Sequence, residues 1–266
     1  MNLKHALVAA AVVGLATPLA QAGLTPGLYG SDRAGTLFLI NTTNASTTTI
    51  GGSVSVFGFT TEIEYDNISG TAFSQDVDGV FGGNFFDITT GLPTSGTIFN
   101  GGAHTGLEYV GSTLYSTVIF AGGGGSPSEL HTLVPATGVS TFIGLTGVGP
   151  IAGLAHDGAT MYGIAGGPGP ATLYTIALGS GTATPVFTTS FQAGSLQFGL
   201  DGNLYAGGTG PDGGDLFRID LINNTDILVG STGFTEITGL TLVIPGPGSL
   251  ALLGLAGFCG TRRRRK

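Results

Sequence analysis

Short apolar runs recur along the chain between breaks rich in Gly, Asn, Asp and Thr, and they recur with a period. One run is a bulky–aromatic–small step: Leu28-Tyr29-Gly30, Ala72-Phe73-Ser74, Leu114-Tyr115-Ser116, Met161-Tyr162-Gly163 and Leu204-Tyr205-Ala206. Its aromatic positions lie 44, 42, 47 and 43 residues apart. A second run follows each step, as Leu37-Phe38-Leu39-Ile40, Phe85-Phe86-Asp87-Ile88, Leu130-His131-Thr132-Leu133, Leu173-Tyr174-Thr175-Ile176 and Leu216-Phe217-Arg218-Ile219. A third run follows in turn: Thr49-Ile50, Thr97-Ile98-Phe99, Thr141-Phe142-Ile143, Pro185-Val186-Phe187 and Ile227-Leu228-Val229. Alternation with β-branched and aromatic residues predicts strands, and the polar breaks between them predict turns.

A fourth run precedes the aromatic step in four copies: Ile63-Glu64-Tyr65, Leu107-Glu108-Tyr109, Leu154-Ala155-His156 and Leu196-Gln197-Phe198. The copy missing before Tyr29 stands at the far end of the body, as Gly239-Leu240-Thr241-Leu242. A ring of sheets closes when the last strand joins the sheet begun by the first, which leaves no open edge. Four strands per repeat of about 44 residues, five times over, predict an all-β, five-bladed propeller with a closing blade shared by the two ends. The same strands would also suit an open solenoid or a sandwich. The repeats resemble bacterial propeller repeats in which GL, Asp, Gly and LY recur before a second LY-x-I-D. The match is best over 153–189 and 195–230, with Leu216-Phe217-Arg218-Ile219-Asp220 as its inner signature, and it is degenerate over 62–102.

Composition agrees with blades buried on both faces. Only 9% of residues are charged and 50 are glycine, so Thr, Ser, Asn and Gly must supply the solvated turns. Gly122–Gly125 and Gly207–Gly214 read as loops between strands. Pro185 falls in the last strand of its copy, the outer edge, where a missing N–H is tolerated.

The two ends differ from the body. Residues 1–22 have a basic start at Lys4, an apolar stretch from Ala6 to Leu15 and the small-x-small box Ala20-Gln21-Ala22, which predicts a signal peptide cleaved between Ala22 and Gly23. An uncleaved N-terminal anchor is the other reading. Residues 245–266 hold Pro245-Gly246-Pro247, an apolar run from Ser249 to Gly260, and Arg262-Arg263-Arg264-Arg265-Lys266. The prolines end the preceding strand, the apolar run seeks lipid, and the basic cluster stays on the cytoplasmic side. This order resembles the PEP-CTERM sorting signal, with Gly246 where that family has Glu. The resemblance implies an exported protein, held briefly at the inner membrane and handed by an exosortase-type protease to the cell surface or matrix. A twelve-residue helix rises about 18 Å against a hydrocarbon core of about 30 Å, which suits a transient segment better than a permanent anchor. The body between the two signals is 23–244.

Lys4 and the five terminal cations account for six of the eight positive charges, and all sixteen acidic side chains lie between Asp32 and Glu236. The body keeps Arg33 and Arg218 alone against those sixteen, a surface that repels phosphate backbones and excludes nucleic acid as a partner. The single cysteine, Cys259, lies in the apolar tail and reads as a small filler, so the body has no disulfide, no cysteine nucleophile and no cysteine metal site.

Few residues offer chemistry. Gly208 to Gly213 satisfies G-x-G-x-x-G, but with so many glycines and no helix to follow it carries no phosphate site. There is no G-x-S-x-G, and no His stands near a Ser/Asp pair in a recognisable order, which argues against a nucleophile-elbow hydrolase. Asp76 and Asp78, and Asp212 and Asp215, are weak candidates for Ca²⁺, because Asp-Gly turns explain both pairs without an ion. Glu62, Glu64 and Glu108 fall on strands expected to line the central channel, with Gln197 and Glu236 in neighbouring copies and His156 in a third. In five-bladed propellers that cleave glycosidic bonds, carboxylates on such strands act as acid and base. No flanking aromatic platform is apparent and the chain has no Trp, so hydrated carboxylates at a channel mouth are the plainer reading. The sequence thus predicts a non-catalytic surface protein without a cofactor. Its expected partners are signal peptidase, the sorting protease and a surface polysaccharide or envelope protein. A channel-centred glycosidase or lyase and a permanently anchored surface protein are the alternatives.

Overall fold

The computed structural model describes residues 24–55, 59–77, 81–99, 102–119 and 127–244. Ala20, Ala22 and Gly23 at the expected cleavage site lie outside the described residues. So do Asp78, Gly122–Gly125 and the whole tail from Pro245 to Lys266. Among the described residues no helix is long and apolar enough to cross a membrane.

Each predicted run is a strand. The chain begins with β1 (Gly27–Ser31), β2 (Thr36–Ile40) and β3 (Thr47–Ser53). A second sheet holds β4 (Thr60–Asp66), β5 (Thr71–Val77), β6 (Phe81–Asp87) and β7 (Leu92–Ile98). The third holds β8 (Ala103–Val110), β9 (Thr113–Ile119), β10 (Glu129–Val134) and β11 (Val139–Leu145). The fourth holds β12 (Ile151–His156), β13 (Met161–Ala165), β14 (Thr172–Ile176) and β15 (Ala183–Thr188). The fifth holds β16 (Ala193–Phe198), β17 (Leu204–Gly208), β18 (Asp215–Asp220) and β19 (Thr225–Ser231). The last strand, β20 (Gly239–Val243), returns to β1 and completes the first sheet in the order β20-β1-β2-β3.

The result is a five-bladed β-propeller. Every sheet is antiparallel and four-stranded, and the closing ladder runs from Gly27 opposite Val243 to Ser31 opposite Gly239. The innermost strands β20, β4, β8, β12 and β16 each pack against the next and close on themselves. The cores lie between blades. Phe73 and Phe99 of the second blade meet Leu107, Leu114 and Leu133 of the third. Four similar clusters fill the other interfaces and complete the ring. Each fully buried aliphatic or Phe side chain contributes about 1.5–3 kcal/mol by leaving water, so stability is spread around the ring.

Close approach of the inner strands explains two glycines. A Cβ at Gly153 would stand 2.5 Å from the Leu196 amide nitrogen, and one at Gly239 would stand 2.7 Å from that of Ile63. The copy that reads as degenerate still forms a regular blade, because aromatic side chains take over its packing. Phe73 meets Phe85 edge-on at 5.2 Å and Phe99 at 5.8 Å. Pro185 is exposed in β15, the outer strand, opposite Tyr174 and beside a register shift. The Gly208–Gly213 segment carries a one-turn 3-10 helix, Gly210–Asp212, too short for a phosphate site.

Candidate functional site

The fifth position of β4 is Glu64, which follows the buried Ile63; Glu108, Ala155, Gln197 and Thr241 follow the equivalent leucines of the other inner strands. These side chains meet across the axis. Gln197 Nε2 donates to Glu108 Oε2 at 3.1 Å and to Glu64 Oε2 at 3.4 Å, while its Oε1 accepts the Phe198 N–H at 2.8 Å. Thr241 Oγ1 donates to Glu64 Oε2 at 3.1 Å and accepts the Tyr65 N–H at 2.8 Å. Four blades are therefore joined through one polar plug.

Burial decides the charge state of that plug. It lifts the Glu64 carboxyl to about 8, against the hydrogen bonds from Thr241, Tyr109 and Gln197 that favour the ionised form. It lifts Glu108 well above the ordinary carboxylate range, and the nearby Glu64 adds to the effect. Two carboxyls on one amide nitrogen, with no Lys or Arg among their contacts, hold protons at neutral pH.

Glu62 sits two residues earlier on β4 and behaves differently. It is fully buried, its Oε1 accepts the N–H groups of Leu240 at 2.9 Å and Ile63 at 3.2 Å, and burial raises its pKa well above normal. It does not line the axial cavity, so it is a structural neighbour of the channel rather than a wall of it. Glu236 also departs from expectation. It precedes β20, and the residue of that strand level with Glu64 is Thr241, because the inner copy is only the short run Gly239–Val243.

Above the plug lies a cavity of about 270 Å³ at the C-terminal ends of the inner strands. Glu64, Glu108 and Gln197 form its polar part, and Tyr65, Tyr109, His156 and Phe198 are also among the residues that line it. Asp66, Asn67 and Ile244 complete the rim. Phe198 is braced edge-on by Tyr162 at 5.9 Å, and His156 Nδ1 accepts the Gly158 N–H at 3.1 Å. Four of the five inner strands carry Tyr, His or Phe one residue beyond the plug, and Tyr65, Tyr109 and Phe198 pack their rings into the clusters between blades. The signal was the column Tyr65, Tyr109, His156, Phe198, but alignment alone does not say which end of a strand faces a cavity.

The other candidate residues lie apart. Asp76 is buried on β5, where the Asn84 amide donates to its carboxylate and Thr60 Oγ1 donates at 3.5 Å. Its expected partner Asp78 is outside the described residues, and among those described no three His, Cys, Asp or Glu side chains group to hold a metal. Asp157 and Asp201 are hairpin residues, each accepting backbone N–H groups of its own turn. One arrangement was invisible in chain order. His131 Nδ1 and Ser140 Oγ are 2.8 Å apart, and His131 Nε2 and Glu129 Oε2 are 2.8 Å apart. This trio ties β10 to β11 on the outer strands, away from the axial cavity.

No family model matches the chain, and no curated protein matches it. Among solved structures it is similar to a chain of a nidogen/laminin complex, at 15% identity over 83% of this chain and 82% of that one, with a TM-score of 0.55. A luciferin-regenerating enzyme aligns at 16% identity and TM-score 0.46 over 81% and 79% of the two chains. TolB from Acinetobacter baumannii aligns at 13% and 0.48 over 79% of this chain and 54% of its own. At 15% identity the likeness to the nidogen/laminin chain speaks for the propeller fold alone.

Proposed function

We propose that this chain is an exported, non-catalytic propeller that binds at the cell surface, delivered there by its leader and its PEP-CTERM-like tail. The observation that carries the reading is the shared amide of Gln197. A glycosidase sets two carboxyls either side of the bond to be cut, one ionised and one protonated, about 5 to 10 Å apart. Here both carboxyls converge on one nitrogen, and burial keeps both protonated. Glycosidic oxygen has no room between them without breaking the plug that joins four blades. The cavity above it instead suits binding: hydrogen-bonding groups at the base, and a volume for one sugar unit or one side chain. The expected ligand is the end of a neutral surface polysaccharide or a loop of an envelope protein.

The rival reading takes the same carboxyls as a coupled acid pair, since a raised, interacting pair is also how acid catalysts are made. Substitution separates the two. The double variant Glu64→Gln, Glu108→Gln keeps shape and neutrality, so polysaccharide retention on the purified protein persists within a few-fold and no turnover appears in either form. Turnover by the native chain that the variant loses would replace binding with catalysis.

A further inference from the structure

A second groove opens on the face that carries the axial cavity. It holds about 380 Å³ between the first blade and the β16–β17 hairpin of the fifth, and Gly27, Leu39, Asn41, Ser46, Thr48 and Leu200 are among the residues that line it. Little chain separates the two hollows. Phe198 lines the axial cavity, and Leu200, two residues later in the same hairpin, lines the groove. Gly27 lines the groove and is the ladder partner of Val243, whose neighbours Leu242 and Ile244 line the axial cavity. The step across that ladder is one strand spacing, about 4.8 Å.

The walls of the groove are held by the fold itself. In the β2–β3 turn the Asn41 N–H donates to Ser46 O at 2.8 Å, and the Ala45 N–H donates to Asn41 O at 2.8 Å. Ala45 has φ 59°, in the left-handed region that favours glycine, and it is fully buried in the cluster that joins the fifth and first blades. On the other side the Tyr205 hydroxyl donates to Asp201 Oδ2 at 2.7 Å and also hydrogen-bonds Thr42, which ties the β16–β17 hairpin to that turn.

The lining selects the ligand. No ionisable side chain stands among the described residues that line the groove. Asn41 Oδ1 accepts the N–H and the hydroxyl of Thr43 at 2.9 and 2.7 Å, which sets the amide's orientation. Its Nδ2 makes no hydrogen bond among the described residues and keeps two donors for a ligand. Leu200, 55% exposed, adds apolar surface. Strands β1 and β2 are paired on both sides, so neither offers a free edge to an incoming peptide strand. Uncharged hydroxyls and an amide beside aliphatic side chains match the polar edges and apolar faces of a neutral sugar.

We propose that this groove is a second subsite for a neutral polysaccharide, taking the sugar units next to the end unit held in the axial cavity. The inference rests on the axial cavity being a sugar site, and it adds the length and the neutrality of the ligand.

The test follows the side-chain amides of Asn41 and Gln197 by ¹⁵N NMR in the purified chain. The probes are neutral glucose-, mannose- and galactose-based sugars, each as monosaccharide and tetrasaccharide. In one series the tetrasaccharide is expected to move both amides along one saturation curve and to bind about tenfold tighter than its monosaccharide. Asn41→Asp keeps both Thr43 bonds but removes the amide donors, and Leu200→Ala trims an exposed side chain. Each should lower tetrasaccharide affinity several-fold at a near-native melting temperature. A tetrasaccharide that moves Gln197 but not Asn41, or that binds no tighter than its monosaccharide, would overturn the second subsite and leave the axial one standing. Native affinity in both variants would overturn it as well. Movement of Asn41 without Gln197 would overturn the shared track, and movement of neither by any of these sugars would overturn both readings.

Discussion

Gly27 and Val243 are direct partners in an antiparallel ladder, so the first strand of the body is held by its last. The ladder closes the ring, and it also places the two exits of the body side by side next to the axial cavity. Closure of the ring and the position of both ends of the described strands thus follow from one register.

Closure should dominate stability. Leu240 is 1% exposed on β20 and packs in the cluster that joins the fifth and first blades, with Leu28, Phe38 and Leu216. Leu240→Ala is expected to cost about 2–5 kcal/mol, read as a lower urea midpoint. A midpoint unchanged from the native chain would mean that β20 adds little to closure.

Thr241 bridges two blades with one hydroxyl, accepting the Tyr65 N–H and donating to Glu64. Thr241→Val keeps the shape and strands the amide, at a cost of about 1–3 kcal/mol. It also removes a bond that favours ionised Glu64, so the Glu64 carboxyl should titrate higher, as read by carboxyl ¹³C NMR. A downward move would contradict the assigned plug.

The plug gives stability a pH slope of definite sign. Glu64 and Glu108 release protons in the unfolded chain near 4.3, but in the fold Glu64 titrates near 8 and Glu108 is also raised. The folded state binds protons that the unfolded state has lost, so their contribution is full below about pH 4 and disappears as pH rises through about 8. Melting temperature should fall from pH 5 to pH 9, and the Glu64→Gln, Glu108→Gln variant should flatten that fall. Parallel curves for the two proteins would refute the buried, protonated pair.

Inner-ring glycines should tolerate nothing larger. Gly153→Ala drives a methyl to 2.5 Å from a neighbouring backbone nitrogen and is expected to cost about 1–3 kcal/mol. At Gly179 a Cβ meets nothing within 4 Å, and Gly179→Ala should leave thermal stability within about 0.5 kcal/mol of native. Equal effects at the two sites would contradict the packed inner strands.

The propeller was legible because each strand type repeats at a near-constant interval, and the displaced copy at Gly239–Leu242 named the closure directly. The site was legible only in part. Glu64 and Glu108 were found as residues of inner strands, but their meeting at Gln197 joins three blades and no spacing encodes it. Glu62 was grouped with them because it shares their strand, although its carboxyl turns to the backbone of Leu240. Glu236 was assigned by proximity to a strand that begins three residues later. The Glu129–His131–Ser140 trio depends on a diagonal contact between β10 and β11, which chain order conceals.

The central claim is an exported propeller sorted by its ends, and the intact mass of the protein recovered from the cell surface and medium tests it most directly. The account predicts a species running from Gly23 to the neighbourhood of Pro245. A surface species still carrying Arg262–Lys266 would contradict tail processing, and one still carrying Met1–Ala22 would contradict export itself.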